Sequence, residues 1–595
     1  MRTLQLALLG FGTWAAAALP VAGQGFPADL DQFIEDGMTD WNVPGLAISV
    51  VKDGQVIYQK GFGVREAGQT DPVDENTVFA IGSTSKAFTS AAIATLVDSG
   101  KVNWDTRVVD VWPSFRMADP WVTGEIRVSD LLANHSGLSV LSEALWYGTD
   151  LTREQIVERL SAVPIEEGFR YRFQYRNVMF LAAGQLIPRV DGRTWDDYIR
   201  QTFFIPLGMT RTFPTDSAIP GLSNVARPHV IDYEGKPRPV PYRNMDNIAP
   251  AGSIISCVKD MSNWVKLQLA RGAFDGMQII QSASVDFMHR PQTPLSDVGP
   301  AGQPLSPPTE LSAYCLAWVT QSYKGTRIVW HNGGIDGMST WVGLVPSLDL
   351  GVVITSNLDE CDLRKAIFFK IIDSYVGNPP SGLEAELVAQ NNARLAARDL
   401  ENQIYEDLLA HPVTPPLPLE KYAGTYRNPV LGEATITVEN NRLVYRRTPF
   451  LTIDLLCQGG NNFLGKFRSV PEDLRDGKQP VRFEVKNGVV TGFLDAGVAH
   501  YQSAAVPSVT PHVGSIGRRV ARGRSFKLTG TTVGGALRVE YRVIGQRGIR
   551  QARGVSQWTI PLRRLSLGKN RVIVRVIGPN GNVASTSRVA VRRVR

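Results

Sequence analysis

Between Asn378 and Pro418 the chain changes texture, and that change governs what its 595 residues can fold into. Asn378-Pro-Pro-Ser-Gly382 opens a stretch in which Leu383, Leu387, Leu395, Ile404 and Leu408 recur near helical spacing, and His411-Pro-Val-Thr-Pro-Pro-Leu-Pro418 closes it. Pro/Gly punctuation around a helical period predicts a helical connector over residues 381–415. Upstream, long helical segments mix with short strands, at Leu46 to Lys52, Gln55 to Gly61, Arg327 to Trp330, Thr340 to Val345 and Gly351 to Thr355. The last three are spaced as antiparallel neighbours are, which predicts an α/β or α+β domain over residues 27–380. Downstream, Ala434 to Glu439, Arg442 to Arg447, Val481 to Lys486 and Val489 to Leu494 alternate around Asn440-Asn441 and Asn487-Gly488. Residues 416–508 should therefore be all-β. A single core stops growing near ~250 to 300 residues, so about three domains are expected. With 43% hydrophobic and 20% charged residues, each can bury a core.

Charge marks a further boundary. The net charge is +7, yet residues 512–595 hold 19 Lys and Arg against one acid, Glu540, leaving +18 there and −11 elsewhere. Strand patterns at Ala536 to Val543, Ser556 to Pro561 and Arg571 to Val576 make this basic segment a small β-sandwich. Its surface is either an attachment site for anionic cell-envelope polymer or a solvated basic face with no specific ligand. Nucleic acid is not an expected partner, because the start of the chain reads as an export signal. Met1-Arg2, an apolar run from Leu4 to Ala18 and Leu19-Pro-Val-Ala-Gly-Gln24 form a secretory signal peptide over residues 1–23, with an uncleaved anchor as the alternative. No later stretch is long and apolar enough to span a bilayer, so the mature chain is expected in the periplasm or outside the cell. The four cysteines, Cys257, Cys315, Cys361 and Cys457, fit no disulfide framework, and no His/Cys/carboxylate cluster has ligand spacing. No metal, cofactor or bridge is expected.

A serine becomes nucleophilic when a base takes its proton, and a lysine three residues along a helix shares its face. Ser83-Thr-Ser-Lys86 has that form; Ser256 to Lys259 and Ser566 to Lys569 match it too. Context separates them. Ser83 follows the strand-like Thr77-Val-Phe-Ala-Ile81 and opens an Ala-rich helical segment reaching about Ser99, where helix dipole and free N–H groups favour negative charge.

Ser83-Thr-Ser-Lys86-Ala-Phe resembles the nucleophile motif of the penicillin-recognising serine hydrolases, which include β-lactamases and penicillin-binding peptidases. Tyr175-Arg-Asn177 resembles the Tyr-x-Asn element of the class C β-lactamase, DD-peptidase and esterase branch, and His331-Asn-Gly333-Gly334 its Lys/His-x-Gly element. Tyr242-Arg-Asn and Tyr426-Arg-Asn match the former as well, but only Tyr175 precedes an apolar helical segment. Asp130 to Leu138, with a structural His135, and Asn247 to Trp264 resemble two further landmarks. The resemblance spans residues 27–380 and implies a β-lactamase/transpeptidase-like domain with an antiparallel sheet. It implies Ser83 as nucleophile, Lys86 as the residue that shares its proton or holds Tyr175 ionised, and Tyr175 as general base and acid. Asn177 would orient Lys86 and substrate, and the backbone N–H groups of Ser83 and Gly334 would form the oxyanion hole, with glycines at 333 and 334 permitting close backbone approach. His331 stands where many class C enzymes carry lysine, which disfavours a dedicated β-lactamase. The implied substrates are small amides or esters: D-residue peptides, β-lactams or short esters. A carboxylesterase without peptidase activity and a non-turnover penicillin-binding sensor are the alternatives. Residues 416–508 resemble a lipocalin-like β-barrel that caps such sites or sets oligomeric state, and residues 512–595 a bacterial Ig-like module.

Overall fold

Apolar and β-branched runs that are covered on both faces form the centre of the larger sheet. The computed structural model describes residues 25–595 apart from 296–310, 378–380, 449, 469–477, 505–511, 518–525, 534–537, 544–549, 553–556, 563–567, 578–582 and 594–595. The expected signal peptide, residues 1–23, and Ser566 lie outside the described residues. Chain contacts divide the protein into two units, Met1–Tyr501 and Gln502–Arg595.

In the first unit, helix α1 (Leu30–Asp40) leads into strands β1 (Gly45–Lys52) and β2 (Gln55–Gly63). Helices α2 (Ser85–Asp98), α3 (Asn177–Val190) and α4 (Val258–Leu269) follow at intervals. The sheet is completed by β3 (Thr293–Pro294), β4 (Ser312–Tyr314), β5 (Val319–Tyr323), β6 (Thr326–Ile335), β7 (Met338–Val345) and β8 (Leu350–Ser356). Strand order is β2-β1-β8-β7-β6-β5-β4-β3, antiparallel throughout. Every residue of β7 and β8 is buried. Helix α4 packs on β1 and β8, and α5 (Leu363–Val376) packs on β7 and β8. Sheet burial on two faces explains why these strands read as continuous apolar runs. Helix α2 lies in the neighbouring helical layer beside α3; Ser85 to Ala94 are all buried, and Phe88 stacks on Trp264 with ring centroids 3.8 Å apart. The strand-like run before Ser83 is only a two-residue ladder, Phe79–Ala80 with Ile255–Ser256. Five residues of strand pattern are expected there from sequence, but the chain must turn sharply to deliver Ser83.

The connector is helix α6 (Leu383–Ala410), and it is packed rather than free. Leu383 and Leu387 are buried, and α6 lies against α5 and a strand of the downstream barrel. Arg398 donates to the carbonyls of Ile231 and Asp232. The barrel is closed by eight antiparallel strands in sequence order, β9 (Gly424–Asn428), β10 (Gly432–Glu439), β11 (Arg442–Thr448), β12 (Leu451–Gly459), β13 (Asn462–Phe467), β14 (Gln479–Lys486), β15 (Val489–Asp495) and β16 (Ala499–Ser503). Closure removes the exposed edges that a free sheet would present. Tyr426, Tyr445, Phe463, Phe483, Phe493 and Tyr501 fill it. The barrel rests on the hydrolase part through Thr448 Oγ1, which donates to the Gly148 carbonyl at 2.6 Å, and Arg159, which donates to the Val430 carbonyl at 3.2 Å.

The second unit holds two antiparallel sheets. One contains β17 (His512–Gly517), β18 (Phe526–Val533) and β21 (Gln557–Leu562); the other contains β19 (Arg538–Val543), β20 (Arg550–Gln551), β22 (Gly568–Ile577) and β23 (Val583–Arg593). Val539, Tyr541, Val543, Val572 and Val574 are buried in it. Among the described residues the four cysteines are free and buried, and no helix is long and apolar enough to cross a membrane.

Candidate active site

Gly82–Thr84 forms one 3-10 turn that delivers Ser83 to the start of α2. The turn is pressed against β6. Gly82 has φ +52°, and a Cβ there would lie 2.8 Å from the Gly334 amide nitrogen. A Cβ at Gly333 would strike the Ile81 carbonyl oxygen and come within 3.3 Å of the Ser83 nitrogen. Only glycine permits that approach. Gly334 differs from expectation, since a side chain there would meet open space; the close contacts fall on Gly82 and Gly333. Strand β5 pairs with β6 only as far as Val319↔Trp330, whereas β7 continues to Met338↔Ile335. The segment 331–335 thus extends beyond β5, leaving that strand edge beside Ser83.

Lys86 follows one helical turn later and is wholly buried. Its Nζ lies 2.9 Å from Ser83 Oγ, 2.7 Å from Asn177 Oδ1 and 2.7 Å from the Ala251 carbonyl. Burial pulls the ammonium down to about 7, while the Glu143 carboxylate opposes the shift. In the amine form two N–H groups satisfy Asn177 and Ala251, leaving the lone pair for the Ser83 hydroxyl. The Ala251 acceptor belongs to the one-turn helix Ala249–Gly252, so the landmark beginning at Asn247 completes the lysine's cage.

Tyr175 lines the same cavity as Ser83, and its ring centroid is 4.7 Å from Lys86 Nζ. Burial pushes its phenol above the ordinary value; the Ser83 contact opposes this and Glu143 reinforces it. Burial thus favours the neutral phenol, and with it the first of the two roles the resemblance leaves to Lys86, sharing the proton of Ser83. The segment carrying it is pinned by the Asp130 to Leu138 loop. Asn134 Oδ1 accepts from Arg176 N at 3.0 Å and the Asn134 carbonyl from Gln174 N at 2.7 Å, while Gly137 N donates to Gln174 Oε1 at 2.8 Å. His135 bridges Asp130 (2.8 Å) and Thr293 Oγ1 (3.0 Å), well suited to a structural role.

Asn177 begins α3, and Glu143 clamps it twice, accepting from its backbone N at 3.0 Å and from Nδ2 at 2.7 Å. That forces Oδ1 toward Lys86. Trp146 Nε1 donates to the same carboxylate at 2.8 Å. Glu143 carries no motif in sequence, because its partner is 34 positions away.

His331 is 1% exposed, behind Tyr175, with ring centroids 6.2 Å apart. Its Nδ1 donates to the Asn332 carbonyl at 2.6 Å, and Nε2 accepts from Tyr314 OH at 3.2 Å. Burial, then the charge of Lys86, pushes its pKa down to about 3. His331 is thus neutral, and it stands behind Tyr175 rather than among the residues lining the cavity over Ser83.

The competing motifs have other settings. Ser256 is fully buried and bonds Thr212 Oγ1 at 2.7 Å; Tyr242 donates to the Ala226 carbonyl; Tyr426 donates to the Tyr422 carbonyl inside the barrel at 2.6 Å. A cavity of about 420 Å³ opens over Ser83, Tyr175, Asn177, Asn332 and Gly334.

A buried lysine beside a cavity-lining serine, a tyrosine on the same cavity and a glycine-lined strand edge define the class of penicillin-recognising serine hydrolases. The β-lactamase family model matches residues 30–368, and a second model, a domain of unknown function (DUF3471), matches residues 410–502. The chain belongs to the β-lactamase family. Among its relatives, the unguisins hydrolase ungD' of Aspergillus campestris is 30% identical over 449 residues, 71% of this chain and 79% of that protein. Penicillin-binding protein 4 of Amycolatopsis lactamdurans is 25% identical over 324 residues, 54% of this chain and 82% of that one. The octameric penicillin-binding protein homologue of Pyrococcus abyssi matches the fold with a TM-score of 0.52 at 22% identity, over 80% of this chain and 99% of that one.

Proposed function

We propose that the chain is an exported hydrolase that cleaves small amides or esters through an acyl-enzyme on Ser83, with D-residue peptides, β-lactams and short esters as candidate classes. The observation that carries this reading is the wholly buried Lys86 amine, 2.9 Å from Ser83 Oγ and titrating at about 7. As Oγ attacks the acyl carbon, its proton passes to Lys86 Nζ; Tyr175 gives its hydroxyl proton to the leaving group and takes one back from Lys86. The backbone N–H groups of Ser83 and Gly334 receive the oxyanion. Water then attacks the ester, and the same relay runs in reverse to free Ser83. Asn177, held by Glu143, keeps Lys86 aimed at Oγ.

The test is Ser83→Ala against wild type on a D-peptide, p-nitrophenyl acetate and a chromogenic cephalosporin, with intact-mass detection of adducts. Wild type should turn over at least one substrate and carry its acyl group, while Ser83→Ala does neither. Turnover retained in the variant overturns the mechanism. An adduct that never clears would instead favour a non-turnover penicillin-binding protein.

For residues 512–595 we propose attachment to an anionic envelope polymer, on the strength of 19 basic residues against Glu540 alone. A chain ending at Tyr501 should then lose the low-salt partitioning to envelope fractions that the full chain shows; equal partitioning would exclude it.

A further inference from the structure

The strand segment that borders Ser83 is held by a buried cation. Arg364, in the first turn of α5, is 4% exposed, and its Nη1 donates to the Gly333 carbonyl at 2.8 Å. That carbonyl shares a peptide unit with the Gly334 N–H. A planar trans peptide sends the two groups to opposite sides, so a donor fixed on the carbonyl sets the direction of the N–H. The same peptide is pressed against the turn that delivers Ser83, since a Cβ at Gly82 would lie 2.8 Å from the Gly334 nitrogen.

Charge acts here as well as direction. His331, on the same strand, is neutral, and Lys86 is an amine when it takes the serine's proton. A guanidinium keeps its charge at any working pH. Among the described residues its ion-pair partner is Asp362 alone, 3.5 Å from Nη2 and partly exposed, and Nε has no partner. The short bond to Gly333 is therefore where this charge is felt most. A peptide carbonyl that accepts from a cation draws electron density from its own N–H, which becomes the stronger donor in a low-dielectric setting. Arg364 also borders the cavity over Ser83, with Trp41 and Asn391 of α6 on other walls, so direct contact with a substrate carboxylate is the rival use of this side chain.

We infer that Arg364 is a positioning residue for the oxyanion hole: it aims and polarises the Gly333–Gly334 peptide, so that the Gly334 N–H receives the oxyanion more strongly. The inference rests on Ser83 as the nucleophile. Arg364 touches no reacting atom; it acts through one peptide unit, and its effect grows as negative charge builds on the acyl oxygen.

The test measures single-turnover acylation by p-nitrophenyl acetate and p-nitrophenyl hemisuccinate, and the affinity for phenylboronic acid, whose tetrahedral adduct on Ser83 puts an oxygen where the oxyanion forms. Arg364→Gln keeps a donor for Gly333 without the charge, and Arg364→Lys keeps the charge. Because the Gly334 donor is weakened rather than removed, Arg364→Gln should slow acylation by both esters about tenfold and weaken the boronate by a similar factor, with the esters' own Kd changed less than about twofold. Arg364→Lys should stay within about threefold of wild type. Asp362→Asn, at a partly exposed residue, relieves the guanidinium of its carboxylate and should tighten the boronate about two- to threefold, a reading that stands even if Arg364→Gln does not fold. Four outcomes overturn the role: unchanged acylation in Arg364→Gln, a loss confined to hemisuccinate, which marks contact with a substrate carboxylate, boronate affinity that holds while acylation falls, or no tightening in Asp362→Asn. Hydrolysis persisting in Ser83→Ala overturns the nucleophile beneath it, and that is read separately.

Discussion

Ser83-Thr-Ser-Lys86 and Ser256-Cys-Val-Lys259 are one four-residue pattern in two surroundings, and burial is inverted between them. At the first, the lysine is wholly buried and the serine borders a cavity. At the second, the serine is wholly buried and the lysine is exposed on α4. Ser256 Oγ is occupied by Thr212 and sits in the short ladder that turns the chain toward Ser83. A nucleophile needs an open hydroxyl next to a desolvated amine. Spacing along a helix supplies neither condition alone.

The largest expected effect breaks this contrast directly. Lys86→Met should slow acylation by ~10³-fold or more, whereas Lys259→Met should change it less than about twofold, measured as the burst of p-nitrophenol from an activated ester. Stability moves differently. Lys86 is deprotonated above about 7 in the folded chain but only above ~10.4 when unfolded. Between those values the unfolded state binds the extra proton, so wild type gains stability as pH rises through that window. The Tm difference between wild type and Lys86→Met should therefore shift toward wild type from pH 6 to pH 9. A flat difference would mean that Lys86 is not desolvated.

Next in size is the seat of the turn. A methyl group at Gly333 meets the Ile81 carbonyl and crowds the Ser83 nitrogen, so Gly333→Ala should displace the oxyanion donors. Removing one such donor costs ~10² to 10³ in rate, and a loss of that order in kcat is expected, together with a lower Tm because the clash falls on backbone. By contrast, Gly334→Ala has room for its methyl group and should lose far less. If the two variants fell equally, close approach would not be what fixes the site.

Much of this architecture is legible in sequence, and the parts that are not share a cause. The connector predicted over residues 381–415 is the helix Leu383–Ala410, because Pro and Gly at each end leave no continuation. Strands such as Arg442–Thr448 and Val489–Asp495 are readable from alternation bounded by Asn and Gly turns. Ser83, Lys86, Tyr175 and Asn177 stand out because the motif places each in a local context, and the structure brings all four together. The Ala251 carbonyl leaves no trace, since a backbone acceptor has no letter of its own. Trp41 and Asn391 belong to no motif; only the packing of α1, α5 and α6 sets them over one cavity. His331 keeps its place in the motif while its charge depends on burial, which sequence does not report.

The smallest expected effect sharpens the comparison most, because it concerns a residue that Ser256 and Lys259 lack. Glu143 does two things at once: it clamps Asn177, and its charge holds the Lys86 ammonium higher than burial alone would leave it. Catalysis needs the amine, so kcat/KM should rise with pH through about 7 in wild type. Glu143→Gln removes the charge and one acceptor while keeping the size. The pKa of Lys86 then falls further, and the acid limb of the pH profile should move to lower pH, with a loss of about tenfold at the plateau from the looser Asn177. A purely structural carboxylate would lower the plateau and leave the limb where it was. Glu143 is thus a positioning residue whose signature is the direction of a titration, and a limb that stayed fixed or moved to higher pH would remove it from the site's electrostatics.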